Sequence, residues 1–144
     1  MFTIFTAFVT VVLDQLVKYF VCTHMDLGET IPVFTNIFHL TYISNPGAAF
    51  GVLPNQDFLL LGIVGILFIA FAWLRDRIPS KPLYFPMAVG CVLGGALGNA
   101  IDRVRFGGVV DFLDFRVWPI FNVADIAICL GVTLIMLYFW RHDG

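Results

Sequence analysis

Charge is what this sequence has least of. Of 144 residues only 12% are charged, against roughly 25% in an ordinary soluble domain. Hydrophobic residues make up 60%, and the mean hydropathy is +0.92. A chain this short has too much surface per volume to hide that much apolar matter from water. A soluble globular domain and a disordered segment are both excluded. The net charge is −2, so there is no basic footprint and nucleic acid is not an expected partner.

The usual catalytic side chains are scarce as well. Cys22, Cys91 and Cys129 lie in or beside apolar runs with no C-x-x-C spacing. They read as small buried hydrophobes rather than a disulfide framework or a zinc site. His24, His39 and His142 are far apart, and neither Ser44 nor Ser80 stands in a G-x-S-x-G turn. Serine, cysteine and zinc hydrolases are poorly supplied here, and no metal or cofactor is expected.

What the chain does have is long apolar runs. They cover 2–22, interrupted by Asp14, Gln15 and Lys18; 58–74 and 83–101, both uncharged; and 119–140, with Asp125 the one acid inside it. About 20 apolar residues cross a bilayer. The expectation is an all-α membrane protein, a bundle of four transmembrane helices forming a single polytopic domain over 1–144. No Lys or Arg precedes Lys18, so the first run lacks the basic start of a signal peptide and reads as an uncleaved helix. Four spans bring both termini to one side. The 75–82 linker holds three Lys or Arg and the tail holds Arg141, whereas 24–57 holds none. The positive-inside rule then puts the termini and that linker in the cytoplasm, with 24–57 and 103–118 extracytoplasmic. Arg103, Arg105 and Arg116 break the pattern and need another reason.

Residues 30–44 alternate loosely and are rich in Val, Ile, Thr, Phe and Tyr. A small antiparallel sheet at the outer membrane surface is expected, with Phe38, Leu40 and Tyr42 on one face and His39 and Thr41 on the other. Asn45-Pro46-Gly47 ends it. In the third span Gly90, Gly94 and Gly98 recur every four residues, which lets helices approach closely in lipid.

Each ionisable group near a span costs free energy, roughly 2.5–3.5 kcal/mol for a charge at the bilayer centre. Asp14 and Lys18 are four apart and share a helix face. They form either a self-neutralising pair or a support for an active site. Asn99, Asp102 and Arg103 fit one helical face, as a polar end-cap or as a support that fixes catalytic groups. Asp111 lies between Val-Val and Phe, where desolvation raises a carboxyl pKa. Asp125 follows Asn122 by three, the spacing of a helix cap, and equally the place for a working carboxylate. Paired carboxylates that share one proton can activate water against a peptide bond without a metal or an acyl-enzyme. Asp114 competes with Asp111 for that role on chemistry alone. A carboxylate relay in a transporter and a non-catalytic assembly partner held by the glycine-rich span are the rival readings.

Several blocks in order resemble the lipoprotein signal peptidases (signal peptidase II). They are Asp14-Gln15-Leu16-Val17-Lys18, Asn45-Pro46-Gly47-Ala48-Ala49-Phe50-Gly51, Gly98-Asn99-Ala100-Ile101-Asp102-Arg103, Gly107-Gly108-Val109-Val110-Asp111-Phe112 and Phe121-Asn122-Val123-Ala124-Asp125. The resemblance implies an aspartic endopeptidase with Asp111 and Asp125 as the catalytic pair. It implies supporting or substrate-lining roles for Asp14, Lys18, Asn45, Gly47, Asn99, Asp102, Arg103, Asn122 and Ala124. The implied substrate is a lipid-modified prolipoprotein, cut just before its diacylglyceryl cysteine, and the implied inhibitor is of the globomycin type. The implied place is the bacterial cytoplasmic (inner) membrane, among membrane lipids, as a monomer with its site toward the extracytoplasmic side. A surface sheet and a short outer helix between the last two spans are implied too. The step of 14 residues from Asp111 to Asp125 shortens that helix, to a turn at the least. Arg103, Arg105 or Arg116 would then meet lipid phosphates or the substrate backbone near the outer leaflet.

Overall fold

The computed structural model describes residues 1–47 and 55–142; Ala48, Ala49, Phe50 and Gly51 of the second block lie outside them. Among the described residues four helices are long and apolar enough to cross a membrane. They are α1 (Phe2–His24), α2 (Asp57–Leu74), α3 (Tyr84–Phe106) and α4 (Val123–His142). Each apolar run satisfies its backbone hydrogen bonds internally as a helix, as lipid requires. α3 runs five residues past its expected end. It stops at Gly107, whose φ of 67° takes the left-handed turn and whose N–H bonds back to the Arg103 carbonyl. α4 begins later than the apolar run does, because Asn122 and Asp125 cap it (below).

α3 is the centre of the bundle, packed on α1 and on α4. The glycine spacing explains how. A Cβ on Gly90 would lie 2.5 Å from the Thr3 carbonyl, and one on Gly94 would lie 2.6 Å from the Ala7 carbonyl. One on Gly98 would lie 2.5 Å from Asp14 Oδ2. That stripe is the α1 contact. Gly95 meets the Ala124 carbonyl in the same way, and Gly131 of α4 meets that of Ala88. α2 buries Leu60 alone among its residues and rests mainly on α3. Its large side chains, such as Phe58 and Ile69, project outward, as they do in a helix facing lipid.

Three antiparallel strands form one sheet in the order β1 (Thr30–Phe34), β2 (Phe38–Asn45), β3 (Val109–Asp114). β3 lies outside the 30–44 segment from which the sheet was expected. Its register sets His39 against Asp114 and, after a bulge, Ile43 against Asp111. The sheet sits on the end of α1 through Val21, Met25, Val110 and Phe112, with Leu40 and Tyr42 packed against them. Phe38 leaves that group and packs on Phe115, ring centroids 4.8 Å apart. No helix stands between β3 and α4. The chain turns there, and the Phe112 and Leu113 N–H groups both bond to the Phe121 carbonyl. β3 therefore carries its polar residues onto the ends of α1, α3 and α4.

Candidate active site

The site begins with a lysine in an unusual place. Lys18 is 3% exposed, and its ammonium has three donors to place. They go to Asp14 Oδ2 at 2.9 Å, Asp102 Oδ2 at 2.7 Å and Asn99 Oδ1 at 3.0 Å. Asp14 and Asp102 are as deeply buried as the lysine. A buried cation between two carboxylates is tolerable only with every donor and acceptor matched. The remaining acceptors are matched. Asp14 Oδ1 takes the Ala124 N–H at 2.9 Å, and Asp102 takes the Val110 N–H at 3.1 Å and the Gln15 amide at 2.9 Å. This one cluster thus fixes α1 to α3, to the first turn of α4 and to β3. Gln15 also donates to the Gly98 carbonyl. Its role is not in the sequence expectations; its place beside Asp14 in the first block was the available signal.

Asn99 carries the order outward. Its Oδ1 is held by Lys18 and by the Asn122 amide at 3.0 Å, so its Nδ2 must point the other way, to Asp125 Oδ1 at 2.9 Å. Asn122 then serves both carboxylates of the expected pair. Its side-chain amide donates to Asp111 Oδ1 at 2.7 Å, and its backbone N–H donates to Asp125 Oδ2 at 3.2 Å. Its Oδ1 accepts the Asp125 N–H at 2.9 Å, which completes a reciprocal helix cap. The cap and the carboxylate placement are one arrangement, so the two readings of Asp125 are compatible. The second oxygen of Asp111 accepts the Asn45 amide at 3.0 Å.

Arg103 bounds the site on the side of Gly47 and Asp57. It donates to the Gly47 carbonyl at 2.8 Å and to the Asn99 carbonyl at 3.3 Å, and its Nε lies 3.8 Å from Asp57. At 8% side-chain exposure the guanidinium is turned into the protein rather than toward headgroups. Asp57 is a second partner that the sequence expectations leave out, although a lone acid opening an uncharged run was visible. Arg116 is paired with Asp114 at 2.9 Å, and Arg105 lies over the Phe106 ring.

Electrostatics separate the two aspartates of β3. Burial pushes the Asp111 carboxyl up to about 7; the Asn45 and Asn122 hydrogen bonds oppose this, and the charge of Asp125 adds to it. Burial also pushes Asp114 up, but there the bonds from Thr41 and from the Arg116 backbone and guanidinium win, and its carboxyl stays below the ordinary range. Asp114 is a neutralised structural anion, whereas Asp111 can hold a proton near neutral pH. Among the described residues no group of His, Cys, Asp and Glu could hold a metal ion.

A family model described as signal peptidase (SPase) II matches residues 6–141. The chain is 43% identical over 137 residues to the lipoprotein signal peptidase of Halothermothrix orenii, covering 94% of this chain and 92% of that one. It is 48% identical over 130 residues to that of Moorella thermoacetica, covering 90% and 86%. A bacterial membrane enzyme solved by the in meso method superposes with a TM-score of 0.91 at 34% identity, covering 99% of this chain and 89% of that one. A second gives 0.84 at 35%, covering 95% and 91%. Sequence match, fold and four membrane-crossing helices agree: the chain belongs to the signal peptidase II family and is a multi-pass membrane peptidase of that type.

Proposed function

We propose that Asp111 and Asp125 form the catalytic dyad of an aspartic endopeptidase. In this reading it cleaves lipid-modified bacterial prolipoproteins just before the diacylglyceryl cysteine. The observation that carries this reading is Asn122, which donates to a carboxylate oxygen of each aspartate from two different groups. Two carboxylates held this way share one proton. Asp111, whose carboxyl is raised to about 7, is the protonated partner; Asp125 is the ionised one. The Asp125 carboxylate takes a proton from water as the water oxygen attacks the scissile carbonyl carbon. Asp111 gives its proton to the carbonyl oxygen, forming a gem-diol. Collapse of the gem-diol breaks the C–N bond, with a proton delivered to the departing cysteine amine. The signal peptide leaves as a carboxylic acid.

Asp14, Lys18 and Asp102 act as positioning residues through Asn99, Ala124 and Val110, while Asn45, Gly47 and Arg103 line the substrate side. The lipid on the cysteine holds the scissile bond at one depth, which supplies proximity. The working environment is the bacterial inner membrane, with both termini cytoplasmic, the site toward the outer face and the protein monomeric. A globomycin-type peptide would compete for the same site.

The test is cleavage of a lipidated prolipoprotein peptide by the purified protein in detergent. Asp111→Asn and Asp125→Asn should each lower kcat by a factor on the order of 10³ or more, since each removes one partner of the proton transfer. Near-normal turnover by either variant overturns the dyad. Equal cleavage of the unlipidated peptide overturns the substrate.

A further inference from the structure

At the end of the bundle that carries both termini, α2 leaves a groove on each side of itself. One, about 350 Å³, has an apolar wall that includes Leu74 of α2, Phe85 of α3, and Tyr138 and Phe139 of α4. Among the described residues its charged or titratable nitrogen groups are those of Arg77 and His142, and none of the described lining residues is a carboxylate. The other, about 340 Å³, holds Arg75 but also Asp76, and these two are 3.6 Å apart. Among the described lining residues, the first groove holds its arginine without an acid, whereas the second holds the Arg75–Asp76 pair.

The rim of that groove is built. Arg77 lies with its guanidinium carbon 5.9 Å from the Trp73 ring centroid, at the end of the apolar helix. The His142 ring stacks on Tyr138, centroids 4.2 Å apart, and its Nδ1–H donates to the Tyr138 carbonyl at 2.8 Å. That leaves His142 Nε2 to accept from a hydroxyl when neutral or to donate to an anion when protonated. An apolar wall running into a membrane-crossing helix pair, topped by an arginine and aromatic rings, has the layout of an interfacial site. A cation at a membrane surface attracts anionic lipid, and an apolar wall between membrane-crossing helices is suited to acyl chains rather than water.

We propose that this groove binds one anionic glycerophospholipid. An acyl chain lies against Phe85, Tyr138 and Phe139, the phosphate is paired with Arg77, and His142 meets the headgroup. The site is at the opposite end of α3 and α4 from Asn99, Asp111 and Asp125, so it stands or falls separately from the peptidase chemistry.

The test uses the full chain reconstituted in bilayers of equal phosphatidylglycerol and phosphatidylcholine, extracted in mild detergent, with retained lipids counted by native mass spectrometry. One phosphatidylglycerol per chain should be retained in preference to phosphatidylcholine. Arg77→Gln should lower that retention about fivefold, the worth of one cation at the surface. Lys81→Gln, in the same linker but not lining the groove, should leave it unchanged. Equal retention of the two lipids overturns the site, and so does an equal loss in both variants, which would reduce the effect to general surface charge. Displacement of the lipid by soluble glycerol phosphate would overturn the part assigned to the acyl chain.

Discussion

Asn122 has no direct substitute among the side chains around it. Its amide supplies a donor to Asp111 and its oxygen an acceptor to the Asp125 N–H, and a carboxylate in its place could not donate. At the same scale, the proton on Asp111 has a predictable pH range. Its folded-state value of about 7 lies above the ordinary 3.8. The contribution to stability is therefore fully present below the ordinary value and is lost as pH rises through about 7. Activity that needs this proton should fall on the alkaline side with an apparent pKa near 7, belonging to the pair. The Asn45 bond lowers the Asp111 value, so Asn45→Ala should move the alkaline limb of kcat/KM to higher pH, whatever it does to the plateau. A limb that stays in place or moves down would refute this assignment of the acid. Asp111 and Asp125 could be named from sequence motifs. The same motif sets Asp111 apart from Asp114; the physical difference between them, Thr41 and Arg116 bonded to the second, is not visible in spacing.

At the scale of elements, the α1–α3 contact is both packing and site. Gly98 is the fourth-residue repeat of Gly90 and Gly94, yet what it faces is the Asp14 carboxylate rather than backbone. Gly98→Ala should push Asp14 off Lys18 and the Ala124 N–H. A loss of about 1–3 kcal/mol of stability is expected from overpacking, together with most of the activity. Gly62→Ala, on α2 with nothing within 4 Å of the added Cβ, should leave both unchanged or raise the thermal midpoint. Measuring unfolding midpoints and turnover of the two variants in one detergent checks this; equal effects would contradict it. The helices were legible because lipid leaves an apolar run of this length few alternatives. β3 was not. Its six residues are too short to show a period, and they become a strand because β2, far away in sequence, offers a free edge. The turn before α4, one of the two outcomes expected there, is held by the bonds from β3 to the Phe121 carbonyl.

For the whole molecule, the distribution of charge predicts its orientation. Glu29 and Ser80 are exposed at opposite ends of the bundle. In a chain with its three cysteines replaced by alanine, Glu29→Cys should react with an impermeant maleimide on intact spheroplasts. Ser80→Cys should react only after permeabilisation, and the reverse pattern would overturn the assignment. Composition and the positions of the apolar runs were enough for the membrane, the four spans and the short roll of ionisable groups, because the cost of polarity in lipid acts on every residue wherever the chain folds. It could not say that Lys18 would be shared by Asp14, Asp102 and Asn99, or that Asn122 would serve two carboxylates. Those bonds join residues from α1, α3, β3 and α4. They form only when the glycine faces of α3 bring the helices close enough for short polar side chains to meet.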